Sequence, residues 1–403
     1  MKILYTNFGI TSYLHPLLEK LATKECDIVM LLPKNNKNTI GKGIKWANEQ
    51  NVSYRIRYSR SKKMWYGKYA LTDLKRIIEE ERPDILLIGF PYFLHLFFDR
   101  SILKTLKQYN VRLIIREIPF QTPPFGKIKS YFSQHPVFNE NMILKSNNTA
   151  FYIRQWCLMY IRKYIYSKAD AAMNYSTAAY DILPSYGVAK RDIYVTYNST
   201  DTETLIKERD FIQPAPKLLP PNNRRILHIG RLVKWKRVDL LIHAVKKLVN
   251  SFPTLQLVII GDGPEKEYLM NQADNEGVAD HILFTGAIHE PRMLGMYMNE
   301  SAIYVLAGMG GLSINDAMAY GLPIVCSVCD STERDLVEDG KNGFFFKEND
   351  VDSLVQILER LLRSPELCKQ MGEKSKQIIE SKINLETVSS LYRQTFNEVL
   401  LNR

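Results

Sequence analysis

Arg225-Ile226-Leu227-His228-Ile229-Gly230-Arg231-Leu232-Val233, with Lys236 three residues on, is an apolar run of strand length that stops at a glycine and continues into two cations. Three later segments repeat the same kind of join. They are Gly261-Asp262-Gly263-Pro264, Gly311-Leu312-Ser313-Ile314-Asn315-Asp316-Ala317-Met318-Ala319-Tyr320-Gly321 and Glu338-Asp339-Gly340-x-x-Gly343. Each places a turn or helix start at the end of an apolar run, which is where open parallel sheets hold their ligands. Glycine lets the backbone turn sharply or approach a ligand closely. A guanidinium fork, an ammonium and the free N–H groups of a helix start all favour a phosphate-bearing ligand.

Working outward, the C-terminal half alternates strands at Arg225–Ile229, Leu255–Ile260, His281–Thr285, Ala302–Leu306 and Pro323–Cys326 with helical patterns. The N-terminal half does the same. Lys2–Thr6, Asp27–Leu32, Asp84–Gly89 and Val111–Arg116 read as strands, and Tyr13–Ala22, Leu71–Glu81 and Leu94–Gln108 as helices. Such alternation gives an α/β protein with parallel sheets covered by helices. Asp210–Asn223 holds four prolines, Pro214, Pro216, Pro220 and Pro221, and reads as a linker because proline can continue neither a helix nor a central strand. The expected organisation is therefore residues 1–207, a linker at 208–223, and residues 224–384.

At 403 residues the chain is too long for one ordinary core. Its 45% hydrophobic and 24% charged content is that of a globular protein. Five scattered cysteines make no disulfide framework, and Cys326-x-x-Cys329 lacks a second ligand pair, so loop packing is its expected role. Met1–Asn7 is too short an apolar run for a signal peptide, and no run reaches transmembrane length. The expected location is cytoplasmic, at most peripheral on the inner face of the cell membrane. Residues 1–205 carry 30 Lys and Arg against 17 Asp and Glu, a net +13, while residues 206–403 are at −2. A basic first half faces something anionic. With no nucleic-acid-reading motif present, an anionic membrane or an anionic acceptor is expected rather than nucleic acid. Thr149–Lys168, six aromatics among four cations, and Arg55–Lys68, with Trp65 and Tyr66, are the two candidate surfaces.

Taken in order, the four C-terminal segments resemble the retaining glycosyltransferases of the GT-B fold, in the large family that includes sucrose synthase and bacterial polysaccharide mannosyltransferases. The resemblance implies two Rossmann-like domains with parallel sheets facing a central cleft, an acceptor-binding domain followed by a nucleotide-sugar-binding one. It also implies a terminal helix, about 385–403, that returns to the first domain. The implied donor is a nucleoside-diphosphate sugar, with no cofactor and no metal, and the implied acceptor is a glycan or lipid-linked glycan. The family's phosphate-binding Arg and Lys fall at Arg231 and Lys236. Gly230, Gly263, Gly310, Gly311, Leu312 and Ser313 line the implied donor pocket, and main chain at Ala287 and Ile288 meets the base.

The family carries two glutamates eight residues apart, the first on sugar hydroxyls and the second on the ribose. Here the second position is Asp316 and the first is Gly308. Catalysis in such enzymes is front-face attack assisted by the donor phosphate, so no protein nucleophile is expected. In the first domain Gly9, after the first strand, and Glu117, at a strand tip, are the expected site residues, with Glu117 the candidate catalytic group and a structural ion pair its alternative role. His15 and His95 sit in helical patterns and read as packing residues. A degenerate nucleotide-sugar-binding relative and a nucleotide-sugar epimerase of similar shape remain the alternatives.

Overall fold

A computed structural model describes residues 1–34, 46–118, 122–139, 143–146, 148–212, 217–327 and 331–402. The chain divides into two compact units, Met1–Tyr197 with Glu386–Arg403, and Asn198–Leu385.

In the first unit the strands are β1 Lys2–Thr6, β2 Asp27–Pro33, β3 Arg55–Ser59, β4 Ser61–Lys63, β5 Tyr69–Leu71, β6 Ile85–Gly89, β7 Arg112–Arg116, β8 Ala171–Asn174 and β9 Ile193–Val195. Seven of them form a parallel sheet in the order β3-β2-β1-β6-β7-β8-β9, and β4 and β5 form a separate antiparallel hairpin. The central strands read as unbroken apolar runs because both faces are covered: Ile85, Leu86, Leu87 and Ile88 are all fully buried. Burial of each such side chain contributes about 1.5–3 kcal/mol.

The helix expected over Leu94–Gln108 is two helices, Phe93–Phe98 and Arg100–Gln108. Asp99 breaks it, because its carboxylate caps the second helix by accepting from Ser101 N. The helix Leu385–Leu401 closes this unit. Tyr392 OH accepts from the Arg116 guanidinium at 3.1 Å, and Lys20 pairs with Glu386 at 3.0 Å.

In the second unit β10 Arg225–Ile229, β11 Gln256–Ile260, β12 Ile282–Gly286, β13 Ile303–Leu306, β14 Ile324–Cys326 and β15 Gly343–Phe345 form a parallel sheet in the order β12-β11-β10-β13-β14-β15. The chain leaves β10 toward β11 on one side and reaches β13 on the other. The tips of β10 and β13 therefore flank the switch point, where a doubly wound sheet opens a crevice.

The boundary falls earlier than the prolines suggest. Thr202–Ile212 is helical and belongs to the second unit, where Arg209 donates to Ala319 O at 2.8 Å. Leu218 and Leu219 N–H groups bond the Glu300 carboxylate, and the buried Arg225 guanidinium donates to Pro220 O. The stretch around Pro220 is thus fastened to the second sheet, and the unit boundary lies at Tyr197–Asn198. Cys326 is buried in β14; Cys329 lies outside the described residues.

Candidate donor site at the tips of two strands

The loop after β10 is laced to that after β11. Leu232 N donates to Asp262 O at 2.9 Å and Glu265 N to Leu232 O at 3.1 Å. Side chains have no room there: a Cβ on Gly261 would stand 1.9 Å from Gly230 O, and one on Gly263 would stand 2.3 Å from Leu232 O. Gly263, in a turn expected to be mainly architectural while bordering the pocket, lets two backbones touch.

Beyond Leu232 the chain makes a short 3-10 turn over Lys234–Lys236 and enters a helix through Arg237, in the left-handed region at φ 52°. Arg237 is paired with Asp239 at 2.9 Å, whereas Arg231 is half-buried and makes no hydrogen bond or ion pair among the described residues. Lys236 is buried, and its Nζ donates to Gly310 O at 2.5 Å. The Lys236 ammonium brings a buried positive charge to this turn, which biases the place toward an anion.

The β13 tip closes over the same turn. Met309 N donates to Trp235 O at 2.7 Å. A Cβ on Gly308 would lie 2.2 Å from Trp235 O and 2.6 Å from Lys236 C, so this backbone approach requires glycine. The missing glutamate is therefore not an empty place: main chain of the Lys236 turn fills it. At Gly311 a Cβ would meet Lys236 Nζ at 3.1 Å, which brings the ammonium to the glycine run. The helix Ser313–Ala319 follows, with Leu312 ahead of it and no side-chain cap; in its first turn Ile314 N makes a long bond to Gly311 O at 3.5 Å. The Ser313 hydroxyl accepts from Tyr304 OH at 2.7 Å, which fixes the first turn onto β13.

Asp316 lies in that helix. Its Oδ1 is buried and has no hydrogen-bond partner among the described residues. Burial pushes the carboxyl up to about 6, against a smaller opposing effect of the Thr200 side chain. Thr200 Oγ1 is itself buried and without a partner among the described residues, so the proximity of the two groups falls short of a hydrogen bond. An orphaned carboxylate oxygen in a native site asks for a donor from outside the chain.

One residue escaped the sequence reading. His228, next to last in β10, is fully buried, with Nδ1 3.0 Å from Val305 O. A carbonyl only accepts, so Nδ1 carries the proton and Nε2 holds a lone pair, which has no partner among the described residues. Nε2 lies 3.4 Å from where a Gly230 Cβ would stand, beside Lys236 Cε at 3.7 Å from the same point. Burial, reinforced by Lys236 and opposed by the Val305 bond, pushes the imidazole down to about 4 and keeps it neutral. A polar residue inside an otherwise apolar strand was the signal available in the sequence.

The other expected residues fall as follows. Ala287 is exposed and Ile288 half-exposed just beyond β12, whose Gly286 O accepts from Gly261 N at 2.9 Å. The Glu338–Gly343 segment is a turn on β15, where a Cβ on Gly343 would strike Ile324 O at 1.9 Å; it supports the sheet. In the first unit Gly9 is buried beneath Trp46, with a Cβ position 2.5 Å from the indole, so it presents no open loop to a ligand. Glu117 is a structural group. Arg162 Nη2 pairs with it at 2.9 Å, Arg162 Nε donates to both its oxygens and Tyr166 OH donates at 3.0 Å, all buried. Its partner lies 45 residues away on a helix, a distance that the strand-tip pattern could not reveal. His95 is buried and His15 bonds Tyr54 OH at 2.9 Å, both within the packing of the first unit.

Residues 210–378 match the family described as glycosyl transferases group 1, the family that the motifs resemble. The chain is 31% identical over 195 residues to an uncharacterized glycosyltransferase of Haemophilus influenzae, a match covering 48% of this chain and 54% of that protein. The chain spans about half to three fifths of the length of the first curated relatives it matches. Among solved structures it is similar to sucrose-phosphate synthase from Thermosynechococcus elongatus, with TM-score 0.70, 16% identity and full coverage of both chains. It is also similar to Anabaena HepE in complex with UDP, with TM-score 0.66, 15% identity and coverage of 99% and 100%. At these identities the likeness shows the fold, which is GT-B, two Rossmann-like units with parallel sheets.

Proposed function

We propose, for a chain whose residues 210–378 match group 1 of the glycosyl transferases, that it is a retaining glycosyltransferase. It moves a sugar from a nucleoside-diphosphate sugar to a glycan or lipid-linked glycan in cell-surface polysaccharide synthesis. The observation that carries this reading is what gathers at the β10 and β13 tips: the Arg231 guanidinium and one Asp316 carboxylate oxygen, both without a partner among the described residues, beside the buried Lys236 ammonium. Arg231 and Lys236 neutralise the diphosphate as charge builds on it, the main electrostatic demand of the transfer. N–H groups at the start of Ser313–Ala319 add to that, and Asp316 accepts from the ribose diol.

Transfer with retention follows from front-face attack. The sugar–phosphate bond breaks, the acceptor oxygen bonds the anomeric carbon from the same side, and the acceptor proton passes to the departing phosphate oxygen. The chain supplies positioning and charge stabilisation. Because Gly308 carries no side chain, sugar hydroxyls find their partners elsewhere, and the donor sugar does not follow from the family. UDP in the HepE neighbour puts uridine sugars first in any test.

The test is transfer from a panel of UDP-, GDP- and ADP-sugars to lipid-linked glycan acceptors, with the product's anomeric configuration read by NMR. Transfer with the donor's configuration kept is the expected result; inversion overturns the mechanism. Tight nucleoside-diphosphate binding without transfer to any acceptor supports a degenerate binding relative, the second reading that Gly308 favours.

A further inference from the structure

The helix Thr149–Tyr166 turns apolar residues outward as well as inward. Its inner face is set by Met159, Arg162, Ile165 and Tyr166, all buried. A helix lying on a water-facing surface carries polar side chains on its other face. Here Ile153, Trp156 and Tyr160 stand at i, i+3 and i+7 with 59%, 56% and 46% of their surface exposed, a single stripe. Exposed Arg154 and Lys163 border the stripe. Trp156 and Tyr160 rings lie 4.7 Å apart, Tyr160 is 5.4 Å from Phe125, and the Lys163 ammonium sits 4.4 Å over Phe125.

The β4–β5 hairpin continues this face. Trp65 at its tip is 81% exposed, and its ring lies 4.9 Å from Phe98, which leads through Phe97 to Tyr164 of the helix at 5.3 Å. The charge around these rings has one sign. Arg55, Arg57 and Arg60 are neutralised by Asp27, Glu80, Glu81 and Asp73, which removes them from any anion surface. Lys62, Lys63, Lys68, Lys145 and Arg154 have no ion-pair partner among the described residues. From Thr122 to Ala169 the sequence holds seven Lys and Arg against one carboxylate, Glu140. The Lys68 ammonium is held below its ordinary value by burial first and then by Lys145 and Arg154, as expected of cations gathered without a counter-charge.

We propose that this face of the first unit docks on an anionic lipid bilayer. Trp65, Ile153, Trp156 and Tyr160 enter the headgroup–acyl boundary, and Lys62, Lys63, Lys145 and Arg154 meet lipid phosphates. Tryptophan and tyrosine suit that boundary because each joins an apolar body to a polar tip. Cations alone would suit nucleic acid equally well; an exposed isoleucine and two exposed tryptophans beside them would not. The inference is independent of the donor-site reading, since these residues belong to the other unit and vesicle binding needs no donor.

The test is co-sedimentation of the whole chain with vesicles of phosphatidylcholine alone and of phosphatidylcholine mixed equally with phosphatidylglycerol. The chain is expected to bind only the anionic vesicles and to leave them at about 0.5 M salt, where screening lengths fall well below about 10 Å. Lys145→Glu with Arg154→Glu is expected to weaken binding about 20-fold or more, each cation near such a surface contributing about fivefold. Trp65→Ala, at an exposed tip, is expected to weaken it without altering the fold by circular dichroism. Equal binding to neutral vesicles, no binding at low salt, or unchanged binding by the charge-reversed variant overturns the proposal. So does retention of RNA by a chain that ignores vesicles.

Discussion

Asp316 is the residue whose chemistry is most exposed to measurement. Its carboxyl is raised to about 6 because one oxygen is buried without a donor. A ribose diol needs the ionised form as acceptor, so the free protein loses that partner as pH falls through about 6. Affinity for a nucleoside diphosphate is therefore expected to fall between pH 7 and pH 5, approaching tenfold per pH unit below the carboxyl's own value. Asp316→Asn is expected to bind about 1–3 kcal/mol more weakly at pH 7 and to show a shallower pH slope, because only the phosphate then titrates. Calorimetry of both proteins across that range decides it. A parallel slope in the two would detach Asp316 from the ribose. The resemblance to the family reached this residue, as the second of two acidic positions eight residues apart. Sequence reasoning left Glu117, also acidic and also at an element's end, between a catalytic group and a structural ion pair, because the Arg162 and Tyr166 side chains that claim it come from a distant helix.

At the scale of elements, the β10 and β13 tips work as one piece, joined by Met309 N to Trp235 O and Lys236 Nζ to Gly310 O. Their strands were legible to within a residue because parallel strands covered on both faces write unbroken apolar runs, as Leu257–Ile260 does. The contact between the tips was not legible, since it is backbone against backbone and leaves only glycines as its trace. In the sequence Gly308 looks like a lost contact. In the fold it is what admits the Trp235–Lys236 main chain. Restoring the family's side chain with Gly308→Glu is therefore expected to impair the protein rather than improve it. Displacing the Lys236 turn costs about 1–3 kcal/mol of stability, the usual effect of overpacking, and weakens nucleoside-diphosphate binding. Gly308→Ala should show the same effects in milder form. Chemical denaturation and calorimetry read both; a Gly308→Glu protein with wild-type stability and raised activity would contradict the packing account.

At the scale of the whole molecule, two buried groups of the second unit pull its stability in opposite directions with pH. His228 is depressed from 6.5 to about 4, so the stability it contributes is complete above 6.5 and is lost as pH falls toward 4. Asp316 is raised from 3.8 to about 6, so its buried charge burdens the fold above 6 and that burden lifts as pH falls toward 3.8. Each slope approaches about 1.4 kcal/mol per pH unit. Relative to wild type, His228→Asn is expected to gain in melting temperature as pH falls from 6.5 to 4, while Asp316→Asn loses; differences that stay flat would contradict the burial of the two groups. The division into two α/β units was readable from alternation, whereas its boundary was not: the stretch around Pro220 is fastened by Arg225 and Glu300, partners that only the folded sheet assembles. The donor pocket itself is tested most directly by calorimetric titration of UDP, GDP and ADP into wild type, Arg231→Ala and Lys236→Ala. One diphosphate is expected to bind wild type, and each substitution to weaken it about 10²-fold, roughly 3 kcal/mol, with folding retained. Equal affinity in all three proteins, or no diphosphate binding to wild type, would contradict a donor site at the tips of β10 and β13.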